Sequence, residues 1–327
     1  MKALSLQSLM APALARHARV PAFRARLAAS PAQAACWPQV NLDLPAGVSP
    51  TAPLGPVDLL AGLPFEAWWP RNQAGRPTCV AEAATACIEL QLALAGPAAF
   101  PRLSPRFVDD CLRARRPVEG SATEIPVGSA LAKLGEAARI LWLYGVCAGA
   151  KWDDVMAPQG QLPDAVALGD ASRRCASTAC YIDQPPGSPR SAILARRIHA
   201  ELAARRPVAI ALPGFRNRQV HGGDTSWDRA ENWFTGHIPD PGPEDVAVPD
   251  SGHAVCLVGF QPDATEPKGG HFVFRNSWGL DFGQEGRRGW RPPGPPRIPA
   301  RGFGTISASH VEAATWEVLS FTMAEAA

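Results

Sequence analysis

No run of about 18 apolar residues free of charge and proline occurs in the 327-residue chain, so no helical membrane span is expected. An excess of one charge is missing too. Thirty-two Lys and Arg stand against 30 Asp and Glu, and a net +2 gives no electrostatic footprint for nucleic acid. No internal repeat is visible. Cys175 and Cys180 make a CxxxxC pair with no second pair, a poor zinc signature, so neither a metal nor a cofactor is expected. Acid is absent from the first 42 residues, which carry Lys2, Arg16, Arg19, Arg24 and Arg26. The apolar stretch there is broken by Gln7 and Pro12, and arginines separate it from the small residues at 33–35, which argues against a secretory signal. Residues 1–58, rich in Ala, Pro and Arg, read as an arm or pro-like segment.

What is present fits an ordinary globular chain, 46% hydrophobic and 19% charged. A helix is expected from Cys79 to Leu94, stopped by Gly96-Pro97. "LSPRFVDDCLRARR" (103–116) predicts a second, with Ser104 as N-cap and Pro105 in the first turn. A third is placed at about 127–141. Residues 190–205 predict an amphipathic helix, with Leu194, Ile198 and Leu202 inward and Arg196, Arg197, Glu201 and Arg205 facing elsewhere. Strands are expected at 207–215, 253–260, 271–278, 302–307 and 316–321. Between the first two lies a long loop, 214–250, with Trp227 and Trp233. Such length in a compact domain is often functional, and tryptophans overhanging a cleft could grip substrate or a partner. The fold class is therefore α+β, a helical part at about 75–160 and a β-rich part at about 190–322 in a domain spanning 59–327.

Of the eight cysteines, Cys87 and Cys256 lie in apolar runs and read as buried thiols. Cys175 and Cys180 are close enough for a local bridge, which spacing alone does not decide. Cysteine usage leans towards a reducing, cytoplasmic compartment, with secretion through an atypical N-terminal segment left open. His221, Asp224 and His237 have no fixed spacing and read as a solvated loop. Arg113, Arg115 and Arg116 read as a solvated helix end.

Three short stretches matter together. In "RNQAGRPTCVAEAA" (71–84), Cys79 opens a helix with Gln73 just upstream. A helix N-terminus favours a thiolate through its unpaired N–H groups. The Cys79 backbone N–H and the Gln73 amide could supply two donors to a developing oxyanion. In "SGHAVCLVGF", His253 follows Gly252, which gives room for close approach, and could serve as base and acid. In "FRNSWGLDFG", Asn276 could fix the imidazole tautomer, and Trp278 could shield that bond from water.

These stretches, in this order, resemble the three catalytic signatures of papain-like cysteine peptidases. "LSPRFVDDC" resembles the family's second helix, and "GFGTISASHVEAATWEVLSF" its closing strands in bacterial members. The resemblance covers roughly 60–322. It implies a helical lobe and a β-barrel-like lobe with the active site in the cleft between them. It implies Cys79 as nucleophile, His253 as general base and acid, Asn276 as orienter, Gln73 in the oxyanion hole and Trp278 as shield. The expected activity is peptide hydrolysis through a thioester. A ligase or transamidase on the same triad, or a silent binding module, are the alternatives. The partner is a peptide or protein substrate, with an inhibitory or docking role open to the arm. The chain departs from the pattern at Arg76, where many members have a cysteine. That leaves Cys111, read as its partner's counterpart, a free thiol. Val80 and Phe282 replace tryptophans, and Glu82 replaces an aromatic. Glu82 could oppose thiolate formation unless Arg76 or another cation neutralises it.

Overall fold

The structure, a computed structural model, describes residues 44–96, 101–115, 133–153, 163–184, 191–219, 224–284 and 300–323. Strand β1 (Val57–Asp58) and helix α1 (Phe65–Trp68) lead into helix α2 (Cys79–Ala95). Helices α3 (Pro105–Arg115), α4 (Leu134–Leu143) and α5 (Ala165–Ala171) follow, then strand β2 (Ala176–Asp183). The rest runs α6 (Leu194–Ala203), β3 (Val208–Asn217), α7 (Ala230–Thr235), β4 (His237–Ile238), β5 (Asp245–Pro262), β6 (Gly270–Arg275), β7 (Phe303–Ser307), α8 (Ala308–Ala314) and β8 (Glu317–Met323). The fold is α+β, as expected.

Helix α2 is rich in alanine, the strongest helix former, and carries no β-branched run. It ends where Gly96 N–H bonds Leu92 O at 3.0 Å. Unlike a surface helix it is buried nearly all round, from Val80 through Leu90. Helix α3 starts as its sequence dictates: Ser104 Oγ accepts from Phe107 N at 3.0 Å. The strands form one sheet ordered β2-β8-β3-β5-β6-β7-β4, with β1 on β5. Along β3 and β5 the side chains alternate between two cores. Ala209, Ala211, Ala254, Cys256 and Val258 join the core of α2, α3 and α4, whereas Val208, Ile210, Leu212, Val255 and Leu257 join that of α6 and α8. Burial on both faces explains why these strands read as continuous apolar runs.

Several expectations need correction. The long loop is largely structured: β3 extends to Asn217, pairing with Asp245, and α7 and β4 lie between. Its polar sequence hid a strand extension held by backbone bonds. His253 does not open its strand, which begins eight positions earlier, and pairs with Leu212 in mid-ladder. Arg197 and Glu201 are buried rather than solvated, because they pair with each other and Glu201 also takes Arg206 Nε at 2.5 Å and Ser320 Oγ at 2.9 Å. His237 is half-buried on β4, its Nδ1 3.0 Å from Thr305 Oγ1. Strand β2, which carries Cys180, escaped the sequence reading; no disulfide joins Cys175 and Cys180. Residues 127–132 of the expected third helix, His221, and residues 1–43 of the arm lie outside the described residues. Val57 and Asp58 pair with Phe260 and Gly259 on β5.

Candidate active site

The segment 71–79 is held against the turn after β6. Gln73 N–H bonds Ser277 O at 2.8 Å, Gly279 N–H bonds Arg71 O at 2.7 Å, and Asn72 bridges to Trp278. Gly279 sits at φ 71°, where a side chain would also meet Asn72. Through a tight turn with Ala74 at φ 51° and Gly75 at 73°, the chain enters α2 at Cys79. Positions far apart in the sequence thereby meet.

Cys79 keeps some solvent exposure while its sulfur lies close to the backbone N–H groups of Ala254, Val80 and Cys79 itself. Ala254 is the neighbour of His253, so the nucleophile candidate abuts the strand that carries the base candidate. His253 Nε2 is 2.7 Å from Asn276 Oδ1. That oxygen also accepts from the Ser277 backbone N–H at 2.8 Å, which fixes which end of the amide is oxygen. Nε2 must therefore carry the proton, leaving Nδ1 as the basic nitrogen. Trp278 stacks on the imidazole at 4.3 Å, Trp233 stacks on Trp278 at 4.8 Å, and Trp227 meets His253 edge-on at 4.9 Å. Of the loop tryptophans, Trp227 thus packs on the histidine directly and Trp233 backs Trp278. Gly252 gives the expected close approach: a Cβ there would lie 2.7 Å from the Trp316 ring.

Gln73 is buried and its amide is oriented at both ends. Oε1 accepts from Ser277 Oγ at 2.6 Å, and Nε2 donates to Arg76 O, leaving one amide hydrogen. Ser277 escaped the sequence reading; its position beside Asn276 was the available signal. All five residues singled out in the sequence, Gln73, Cys79, His253, Asn276 and Trp278, come together in one region.

No protein-family model matches the chain, and no curated sequence matches it. Solved structures do. Xylellain, a cysteine protease from Xylella fastidiosa, shares 18% identity over 84% of this chain and 87% of its own, with a TM-score of 0.57. A structure from a study of the mite allergens Blo t 1 and Der p 1 gives 18%, 87%, 75% and 0.52 for the same measures. Digestive procathepsin L2 from Tenebrio molitor larval midgut gives 17%, 85%, 70% and 0.52. The fold is papain-like.

Within this papain-like fold the charges are unusual. Burial pushes the Cys79 thiol up against the pull of the three N–H groups, and Glu82 adds a smaller upward push. Burial pushes His253 down to about 4, against the Asn276 bond and Asp228. Burial thus disfavours both the charged thiol and the charged imidazole, opposing the pull that a helix N-terminus alone would exert on Cys79. Glu82 itself is buried and raised to about 7, although Arg71, Arg275 and Arg76 pull it down. Arg76 therefore only partly neutralises it. Behind lies Glu89, wholly buried, bonded to Arg71 at 2.5 Å, Arg275 at 3.1 Å and Leu103 N at 2.7 Å. Cys111 is a free thiol, as the sequence implied, and Cys87 and Cys256 are buried thiols with sulfurs 3.5 Å apart. Among the described residues no His, Cys, Asp and Glu cluster could hold a metal ion.

Proposed function

We propose that this chain is a cysteine peptidase. The observation that carries the proposal is the fixed tautomer of His253: with Nε2–H committed to Asn276, Nδ1 is the free base beside the strand position that touches Cys79. In this reading Nδ1 takes the Cys79 proton as Sγ attacks the substrate carbonyl carbon. The oxyanion accepts from the Cys79 backbone N–H and the remaining Gln73 amide hydrogen, already oriented by Ser277. Nδ1–H then protonates the leaving amine, and a thioester remains on Sγ. Water, activated by the same nitrogen, releases the acid. The experiment is cleavage of a peptide library by the intact chain and by Cys79→Ala, with products weighed with and without an added amine. Hydrolysis lost in the variant supports the proposal; transfer to the amine in place of water, or activity retained by Cys79→Ala, contradicts it.

A further inference from the structure

Glu89 lies on the same helix as Cys79, about 15 Å further along the axis at about 1.5 Å per residue, so it touches no reacting atom. Its carboxylate is nevertheless where the segments that carry the site residues meet. Arg71 grips it with a fork, Nη1 donating to Oε2 at 2.9 Å and Nη2 to Oε1 at 2.5 Å. Arg275 Nη2 donates to Oε2 at 3.1 Å, and Leu103 N–H donates to Oε1 at 2.7 Å. Arg71 Nη2 also donates to Leu103 O at 2.5 Å, which closes the arrangement.

Each arginine leads directly to the site. Arg71 stands just ahead of Asn72 and Gln73, and its own carbonyl accepts from Gly279 N–H at 2.7 Å. Arg275 ends β6 and is followed by Asn276, whose oxygen holds His253. One carboxylate thus joins the helix of the nucleophile, the segment of the oxyanion donor and the strand end of the orienter. Burial would raise this carboxyl, yet Arg71, Arg275 and Arg102 hold it below the ordinary value, so it stays charged. Stability alone gives little reason for such a group, because apolar residues of similar volume often stabilise a buried site as well. What guanidinium forks on a carboxylate add is direction, since planar donors fix angle as well as distance.

We propose that Glu89 is a positioning residue for the Cys79 reaction, setting Gln73 through Arg71 and Asn276, hence the His253 tautomer, through Arg275. The inference rests on the peptidase reading and adds to it a residue that no substrate touches.

Glu89→Gln leaves buried guanidinium groups without their anion and endangers the fold, so Arg71→Lys and Arg275→Lys are tested beside it. Each keeps the charge and removes the planar donor group on one side. Three quantities are measured on the full chain: acylation of Cys79 by a peptide ester, its alkylation by iodoacetamide, and the His253 tautomer at neutral pH from NMR of the ring nitrogens. Only acylation develops an oxyanion, so only acylation draws on Gln73. Arg71→Lys should slow acylation about tenfold more than alkylation and keep the tautomer. Arg275→Lys should slow both alike and lower the share of the Nε2–H tautomer. Glu89→Gln, where folded, should show both signatures. Equal slowing of acylation and alkylation in Arg71→Lys, or an unmoved tautomer in Arg275→Lys, assigns Glu89 to packing and overturns the proposal. If the wild-type chain is not acylated, the peptidase reading fails, and the tautomer in Arg275→Lys still decides the inference.

Discussion

Asn276 Oδ1 accepts from both His253 Nε2, at 2.7 Å, and the Ser277 backbone N–H, at 2.8 Å, so one oxygen fixes the protonation of the imidazole. Asn276→Asp puts a carboxylate on that bond, which favours the imidazolium and raises His253 from about 4. Activity that needs the neutral base should then lose its acid side at higher pH. The kcat/KM profile of Asn276→Asp is expected to show an acid limb moved towards neutrality, and an unmoved limb would contradict the assignment. His253→Ala, which removes the base itself, should cost roughly 10²–10⁴-fold in kcat/KM.

Glu82 gives a second pH signature. Its carboxyl is neutral below about 7 and charged above, and its charge raises the Cys79 thiol. In the wild-type chain, ionisation of Glu82 should restrain the rise in thiol reactivity as pH passes 7. Glu82→Gln removes that restraint. Alkylation rates at Cys79 should be similar in the two proteins below pH 6 and higher in the variant above pH 8.

In the proposed mechanism Ser277 positions Gln73, whose Oε1 accepts from the Ser277 hydroxyl. Ser277→Ala frees the Gln73 oxygen and should lower kcat with little change in KM, because an oxyanion donor acts in the transition state. Ser277→Thr, which keeps a hydroxyl, should recover part of the rate. Equal loss in both variants would mark a packing effect instead.

Stability should fail from the acid side. Burial would raise Glu89, but Arg71, Arg275 and Arg102 together hold it below its usual 4.5, so its contribution is present above that value and is lost as pH falls through the lower folded value. His237, His253 and His310 are each pushed down to about 4 by burial, against an ordinary 6.5. Between those values the unfolded chain binds protons that the folded chain refuses, so stability declines as pH falls from 6.5 to about 4. Thermal unfolding across pH 4–8 checks this. Glu89→Gln leaves Arg71 and Arg275 buried without their anion and should cost about 3–5 kcal/mol at neutral pH.

Much of this was legible in the sequence. Helix α2 announced itself by alanine and its Gly96 stop, and α3 by Ser104-Pro105. The positions of His253 and Asn276 followed from their short motifs. The remainder depended on partners distant in sequence. Arg197 and Glu201 look like a solvated pair until Arg206 and Ser320 close round them. Strand β2 has no decisive apolar pattern of its own and is defined by its pairing with β8, from Asp183 opposite Glu317 to Ala176 opposite Met323. The role of Trp227 and Trp233 depended on Trp278, which lies much later in the chain.

Activation of Cys79 by His253 is measured directly by mass spectrometry of the intact chain treated with a peptidyl epoxide. One adduct, located on Cys79, reduced at least tenfold in rate in His253→Ala while the variant stays folded, is the predicted result. An adduct on another cysteine, or labelling of Cys79 at an unchanged rate without His253, would contradict it.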